Sequence, residues 1–189
     1  MKRNQNEKRL FPSRTFRTER QVDRQWQKSN CALARLLNCY HQELNAAIAM
    51  AAQISRGIDE LAEQMALLCR RTCRYCPDPC CILNTVWFDF RDLLLFHLLE
   101  LPIPVCQAVS DRKDACPFLG HRGCRLPARS RPWMCIQYLC PPQLAILTNQ
   151  RISAAVTIWD KIERIEKQRM KMETEVVCRI KHRQEEPDK

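Results

Sequence analysis

Residues 30–69 read NCALARLLNCYHQELNAAIAMAAQISRGIDELAEQMALLC, and their spacing decides the fold. Leu33, Leu37, Tyr40, Leu44, Ala47, Ala51, Ile54, Ile58, Leu61, Met65 and Leu68 recur at alternating steps of four and three. That is a coiled-coil seam kept up over about five heptads. No proline stands between Pro12 and Pro77 to break it. At about 1.5 Å per residue such a stretch makes a rod of roughly 60 Å, and its apolar stripe needs a partner helix.

The chain supplies a candidate partner. After Pro141-Pro142, residues 143 to about 183 again lack proline, and Ala155, Ile158, Ile162, Ile165, Met172 and Val176 continue a seam that Arg169 interrupts. One rod runs into the segment between them and the other leaves it, so an antiparallel pair satisfies both stripes. The alternative is pairing between chains, hence a monomer or a coiled-coil dimer. The expected fold is mainly α: two long antiparallel helices with a loop-rich cysteine metal-binding module and a short buried helix at one end. The segments are a basic arm (1–28), a long helix (29–69), the module (70–142), and a long C-terminal helix with a charged tail (143–189).

The module holds nine of the thirteen cysteines. It opens with Cys73-Arg-Tyr-Cys76-Pro-Asp-Pro-Cys80-Cys81 and closes with Cys116-Pro-Phe-Leu-Gly-His-Arg-Gly-Cys124 and Arg131-Pro-Trp-Met-Cys135-Ile-Gln-Tyr-Leu-Cys140. Thiolates at such short spacings suit a soft metal, so Cys73, Cys76, Cys80, Cys81, Cys116, Cys124, Cys135 and Cys140 are the expected ligands. Eight thiolates match two four-coordinate centres, and the neighbours Cys80 and Cys81 suit service to one centre each. Cys76, Cys116 and Cys140 each precede proline, a step that recurs in bacterial ferredoxin motifs and favours an iron–sulfur cluster, of the four-iron, four-sulfur type, over zinc. Zinc is the alternative. Seven prolines lie between Cys73 and Cys140, a stretch that therefore reads as loops pinned by ligands. One helix is expected in it, from Trp87 to Glu100, apolar nearly all round and stopped by Pro102.

Over residues 73–141 the chain resembles the YkgJ-like cysteine-cluster proteins, whose CxxCxxCC motif compares with Cys73, Cys76, Cys80 and Cys81. A second motif of that family is similar to Cys116-Pro117-Phe118-Leu119, Cys124, Arg131-Pro132, Cys135 and Cys140. The resemblance implies a zinc- or iron-chelating domain, often an iron–sulfur one, and singles out Arg131 as a residue that donates to the cofactor-bearing cysteines. Two departures stand out: three residues separate Cys76 from Cys80, and Leu126-Pro127 replaces a common Ile-Tyr pair. Cys69-x3-Cys73-x2-Cys76 also matches the short radical-SAM signature, but too little chain follows for the barrel those enzymes need. Cys69 is therefore either an extra ligand or, the favoured reading, the last buried turn of the first rod. Cys31, Cys39, Cys106 and Cys178 read as ordinary small apolar residues, and His121 as an exposed loop residue.

Composition bounds the rest. Three glycines in 189 residues leave no phosphate-cradling loop and no dinucleotide fingerprint. No acid–base pair or activated nucleophile stands out, so a catalytic role of its own is not expected. The absence of a secretory signal and the cysteine content point to the cytoplasm, and the longest apolar run, Leu93–Leu99, is too short to cross a membrane. A net charge of +10 suggests an acidic partner. Nine Lys and Arg in residues 1–28, with Phe11, Phe16 and Trp26 among them, allow contact with nucleic acid, though a solvated arm is the commoner outcome. The expected role is a redox or cluster-carrying accessory protein. The alternative is a zinc-stapled module that binds a protein or nucleic acid.

Overall fold

The heptad stripe of residues 33–68 is buried except at Tyr40, which is half-buried, in the computed structural model, which describes residues 19–73, 76, 80–108, 115–120, 123–149 and 152–185. Its partner is the last helix, α7 (Ile152–Glu185), whose Ile158, Ile162, Ile165, Met172 and Val176 are buried in the same core. The side chain of Ala155 lies outside the described residues. Helix α2 (Asn45–Thr72) carries most of the first stripe. Along the pair, Glu43 meets Arg183, Gly57 meets Ile165, and Glu60 meets Lys161. Rising numbers on one helix against falling numbers on the other make the pair antiparallel. At Gly57 the helices come close enough that a Cβ would stand 3.2 Å from Ile165 Cγ1, so the glycine permits the approach.

Neither rod is a single helix. Helix α1 (Glu19–Cys39) ends where a 3-10 turn, His41–Leu44, carries the chain into α2. Of the turn's residues only Leu44 is apolar, and Asn45 Nδ2 donates back to the Gln42 carbonyl at 3.1 Å, a local bond that competes with the helical ladder. The seam survives because Leu37 and Leu44 stay buried on either side. The second rod, expected to run unbroken from residue 143, is two helices, α6 (Pro141–Asn149) and α7, with residues 150–151 outside the described set. Pro141 and Pro142 open α6 rather than precede it. Their missing N–H groups fall where a helix has no acceptor for them.

The N-terminal boundary also differs from the expected one. Helix α1 starts at Glu19, inside the segment read as a basic arm, and its Trp26 is buried, with Nε1 donating to the Pro104 carbonyl at 2.8 Å. Residues 1–18, where most of the arm's charge lies, are outside the described residues. Two short helices follow α2: α3 (Cys80–Leu83) and α4 (Phe90–Leu98). The expected Trp87–Glu100 helix is shorter because Asp89 and Asp92 form a capping box at its start. At its end the Leu101 N–H reaches the Phe96 carbonyl at 2.8 Å and the Glu100 N–H reaches that of His97 at 3.4 Å. This closure puts Glu100 at φ 52°, so the chain turns out of the helix before Pro102. Strands β1 (Leu119–Gly120) and β2 (Gly123–Cys124) form a hairpin, and α5 (Trp133–Gln137) leads into α6. Among the described residues no helix is long and apolar enough to cross a membrane.

Candidate metal centre in the cysteine module

Apolar burial orders more of the module than its loop-rich sequence suggests. Phe88 sits at the middle of an aromatic floor, with ring centroids 5.4 Å from Trp26, 5.7 Å from Phe96 and 6.1 Å from Phe118. The Gln107 side chain fastens the backbone beneath it: Nε2 donates to the Phe88 carbonyl at 3.1 Å, and Oε1 accepts the N–H groups of Phe88 and Ala108. Cys106, Cys116, Cys124 and Met134 pack on this floor. The expectation that ligands alone would pin these loops is thus corrected: four aromatic rings from distant segments supply a second, small core.

A buried polar node joins the module to the helix pair. Arg169, the residue that interrupts the α7 stripe, is 0% exposed. Its Nη2 donates to Asp89 at 2.8 Å, its Nη1 lies 3.0 Å from Asp92 Oδ1, and its guanidinium stacks over the Trp133 ring at 5.3 Å. Asp92 also accepts the Trp133 N–H, at 3.2 and 3.3 Å from its two oxygens. Burial pushes the Asp92 carboxyl up to about 6, against the pull of Arg169. Arg91 reinforces the connection with Glu166 and Glu173, each at 2.6 Å. Trp133 begins α5, which carries Cys135 two residues on. The node therefore sets where that cysteine stands.

Five thiols from three segments share one neighbourhood. The Cys116 N–H donates to the Cys81 carbonyl at 2.9 Å, drawing the hairpin onto α3. The hairpin needs Gly123, whose φ of +103° disfavours any side chain, and it places Cys124 opposite Leu119. Cys80 and Cys81 are hydrogen-bonded through their thiols. That bond lowers Cys80 to about 6 and, with burial and the nearby Cys135 and Cys116, raises Cys81. Burial, then Cys116, Cys124 and Cys80, push Cys135 up to about 12. The adjacent Cys80 and Cys81 thus face the same group of thiols, where the sequence suggested a separate centre for each.

Cys69 and Cys73 neighbour each other at the end of α2, and the Cys76 N–H donates to the Cys73 carbonyl at 3.3 Å. The Cys69 and Cys73 thiols are hydrogen-bonded, and burial followed by Cys73 raises Cys69 to about 12. Cys69 is half-buried rather than sealed into the rod. Gln143 donates to its sulfur at 3.4 Å and accepts the Cys140 N–H at 3.1 Å. The sequence signal for Cys69 was its four-residue spacing from Cys73, which left it as either an extra ligand or the last buried turn of the rod.

The arginines divide. Arg131 donates through Nε to the Leu126 carbonyl at 3.0 Å, and its charge acts on Cys69. Arg129 is engaged by Asp59 of α2, and Arg125 by the Pro117 carbonyl. His121 and Arg122 are outside the described residues. Cys31, Cys39 and Cys178, expected to behave as small apolar residues, are exposed on α1 and α7. No disulfide joins the described cysteines. Among the described residues no three His, Cys, Asp or Glu side chains are drawn together closely enough to hold one metal ion. No family model, no curated protein and no solved structure matches the chain.

Proposed function

We propose that the chain is a metal-binding protein whose cysteine module holds an iron–sulfur cluster, with zinc the alternative, and that it serves as a redox or cluster-carrying accessory protein. The observation that carries this reading is the convergence of Cys80, Cys81, Cys116, Cys124 and Cys135 from three separate segments. The donor set fits: it is all sulfur, the choice of iron–sulfur clusters and thiolate zinc. Burial, then the neighbouring thiols, raise Cys135, and the hydrogen bond with Cys80, then burial, raise Cys81, so metal binding there is coupled to release of protons. An iron–sulfur centre would supply one-electron transfer at this site; zinc would supply a staple. The resemblance to the YkgJ-like family and the Cys-Pro steps support the first filling. The aromatic floor and the arginine-anchored α5 give the segments that carry these cysteines a fixed platform.

One observation favours the second reading, a zinc-stapled module that binds another protein. Ile82, Trp87, Phe90 and Tyr138, all on segments of the module, are large apolar side chains left exposed. Contact with nucleic acid rests on the charge of the basic arm, residues 1–28. Cytoplasmic location and the accessory role belong to the same proposal.

Metal analysis with visible and electron paramagnetic resonance spectra, on protein purified without oxygen, tests both readings. A chromophore bleached by dithionite, with iron and sulfide present, is the expected result. Colourless protein with stoichiometric zinc selects the stapled module. Protein that carries neither and takes up neither on reconstitution ends the metal reading.

A further inference from the structure

A cavity of about 330 Å³ opens where the end of α1, the 3-10 turn, the first turn of α2 and the end of α4 meet. Its walls are apolar: Leu37 and Leu44 come from the first rod, and Phe96, Leu101 and Ile103 from α4 and the chain after it. Ligand sites run from about 300 to 1,000 Å³, so this one suits a small molecule. Ile48, which also lines it, and Cys69 lie near opposite ends of α2, roughly 30 Å apart along the helix. The cavity is therefore separate from the thiols.

Its polar lining is Asn38, His41, His97 and Glu100, and among the described residues no lysine or arginine joins them, in a chain that has 31. The hydrogen bonds behind His97 fix its tautomer. Asn30 is buried, and its Nδ2 donates at 2.9 Å to the Trp26 carbonyl, which can only accept. Asn30 Oδ1 therefore faces His97 Nε2, 3.1 Å away, and that nitrogen carries the proton. Burial disfavours the imidazolium and lowers the His97 pKa. The neutral ring keeps a lone pair on Nδ1, which has no hydrogen-bond partner among the described residues. Glu100 stands at φ 52°, where glycine would cost least, yet the position bears a carboxylate with no ion pair among the described residues. It follows the C-terminal end of α4, the negative end of that helix's dipole. A lone pair, an unpaired carboxylate and a helix C-terminus all favour a cation that donates hydrogen bonds.

We infer that this cavity binds a small amine, its apolar stem against Leu37, Leu44 and Phe96 and its ammonium group shared between Glu100 and His97 Nδ1. An ammonium has three donors and no acceptor, which matches a lining of acceptors. A neutral hydroxyl would use the lone pair and leave the carboxylate without a counter-charge. An anion would find no lysine or arginine and would meet Glu100. Such a site is independent of whether the thiols hold a metal.

The test is calorimetric titration of the full-length protein near neutral pH with phenethylamine, phenylacetate and 2-phenylethanol, three probes with one aromatic body and different charge. Phenethylamine should bind saturably at millimolar concentration or below, and the other two about tenfold more weakly or worse, the worth of one charged hydrogen bond. Glu100→Gln, at an exposed position, should weaken the amine about tenfold and leave 2-phenylethanol unchanged. His97→Gln keeps a donor for Asn30 but removes Nδ1, and should weaken the amine several-fold. Amide chemical shifts of an isotope-labelled sample should move with added amine at Asn38, His41 and Glu100. No saturable binding of the amine, equal binding of phenylacetate or 2-phenylethanol, or full amine affinity in either variant overturns the site. Shifts confined to residues away from the cavity overturn it as well.

Discussion

Helices α2 and α7 are held by aliphatic side chains spread along their length, whereas the cysteine module rests on one ring, Phe88, that three other aromatics touch. A distributed seam loses stability in increments when one member is cut back. A hub loses several contacts at once, because Trp26, Phe96 and Phe118 come from α1, α4 and the hairpin and meet only there. The two regions also differ in polar content: the seam is nearly dry, while the module is crossed by the bonds of Gln107, Gln143, Asp92 and its thiols. The seam is held mainly by burial, with Arg169 as its charged interruption; the module combines burial with side-chain hydrogen bonds.

The node that joins the regions gives the largest expected effect. Asp92→Ala leaves the Arg169 guanidinium buried without one of its carboxylates and frees the Trp133 N–H, and should cost about 3–5 kcal/mol. Denaturant unfolding followed by far-ultraviolet circular dichroism and by protease nicking of residues 73–140 should show both regions weakened together. A module weakened with the helix pair untouched would mean that the node serves only one side. Next, Phe88→Ala and Ile54→Ala set hub against seam, at about 3–5 and 2–5 kcal/mol. Phe88→Ala should open residues 73–140 to protease while most helical dichroism remains, and Ile54→Ala should lower the unfolding midpoint without that selective opening. Equal protease patterns for the two variants would erase the distinction. The smallest effect concerns Glu100, which closes α4 at φ 52°. Glu100→Gly removes the strain of a left-handed side-chain-bearing residue and should raise stability by up to about 1 kcal/mol, seen as a higher midpoint with an unchanged slope.

The helix pair was legible because its signal is local. Each of Leu33 to Leu68 announces its face through neighbours three and four residues away, and a 3-10 turn at residues 41–44 does not shift that pattern by enough to hide it. Arg169 was visible as an interruption, but its meaning was not, since Asp89 and Asp92 lie about eighty residues away on a helix whose cap decides where they point. The aromatic floor was hidden for the same reason: Trp26 read as part of a charged arm, and nothing near it in the chain signals Phe88 or Phe118. For the thiols, spacing marked out the cysteine-rich module. It could not group them, because adjacency of Cys80 and Cys81 says little about which way each sulfur turns on a one-turn helix. Spacing left Cys69 as either an extra ligand or the last buried turn of the rod, and its contact with Gln143, 74 residues away, has no trace in the local sequence.

A seam of leucines, isoleucines and alanines repeated every seven residues has a translational ambiguity: sliding one helix past the other by a heptad offers nearly the same apolar faces to each other. Arg169 works against that ambiguity as an indexing pin. Its charge finds Asp89 and Asp92 at one setting of α7 only, and at the neighbouring settings it would be pressed, unpaired, among aliphatic side chains. Slippage that would be cheap for the stripe alone becomes expensive. The distance between the end of α2 and the start of α6 is thereby held to one value, and with it the spacing at which Cys69 and Cys140 face each other across Gln143.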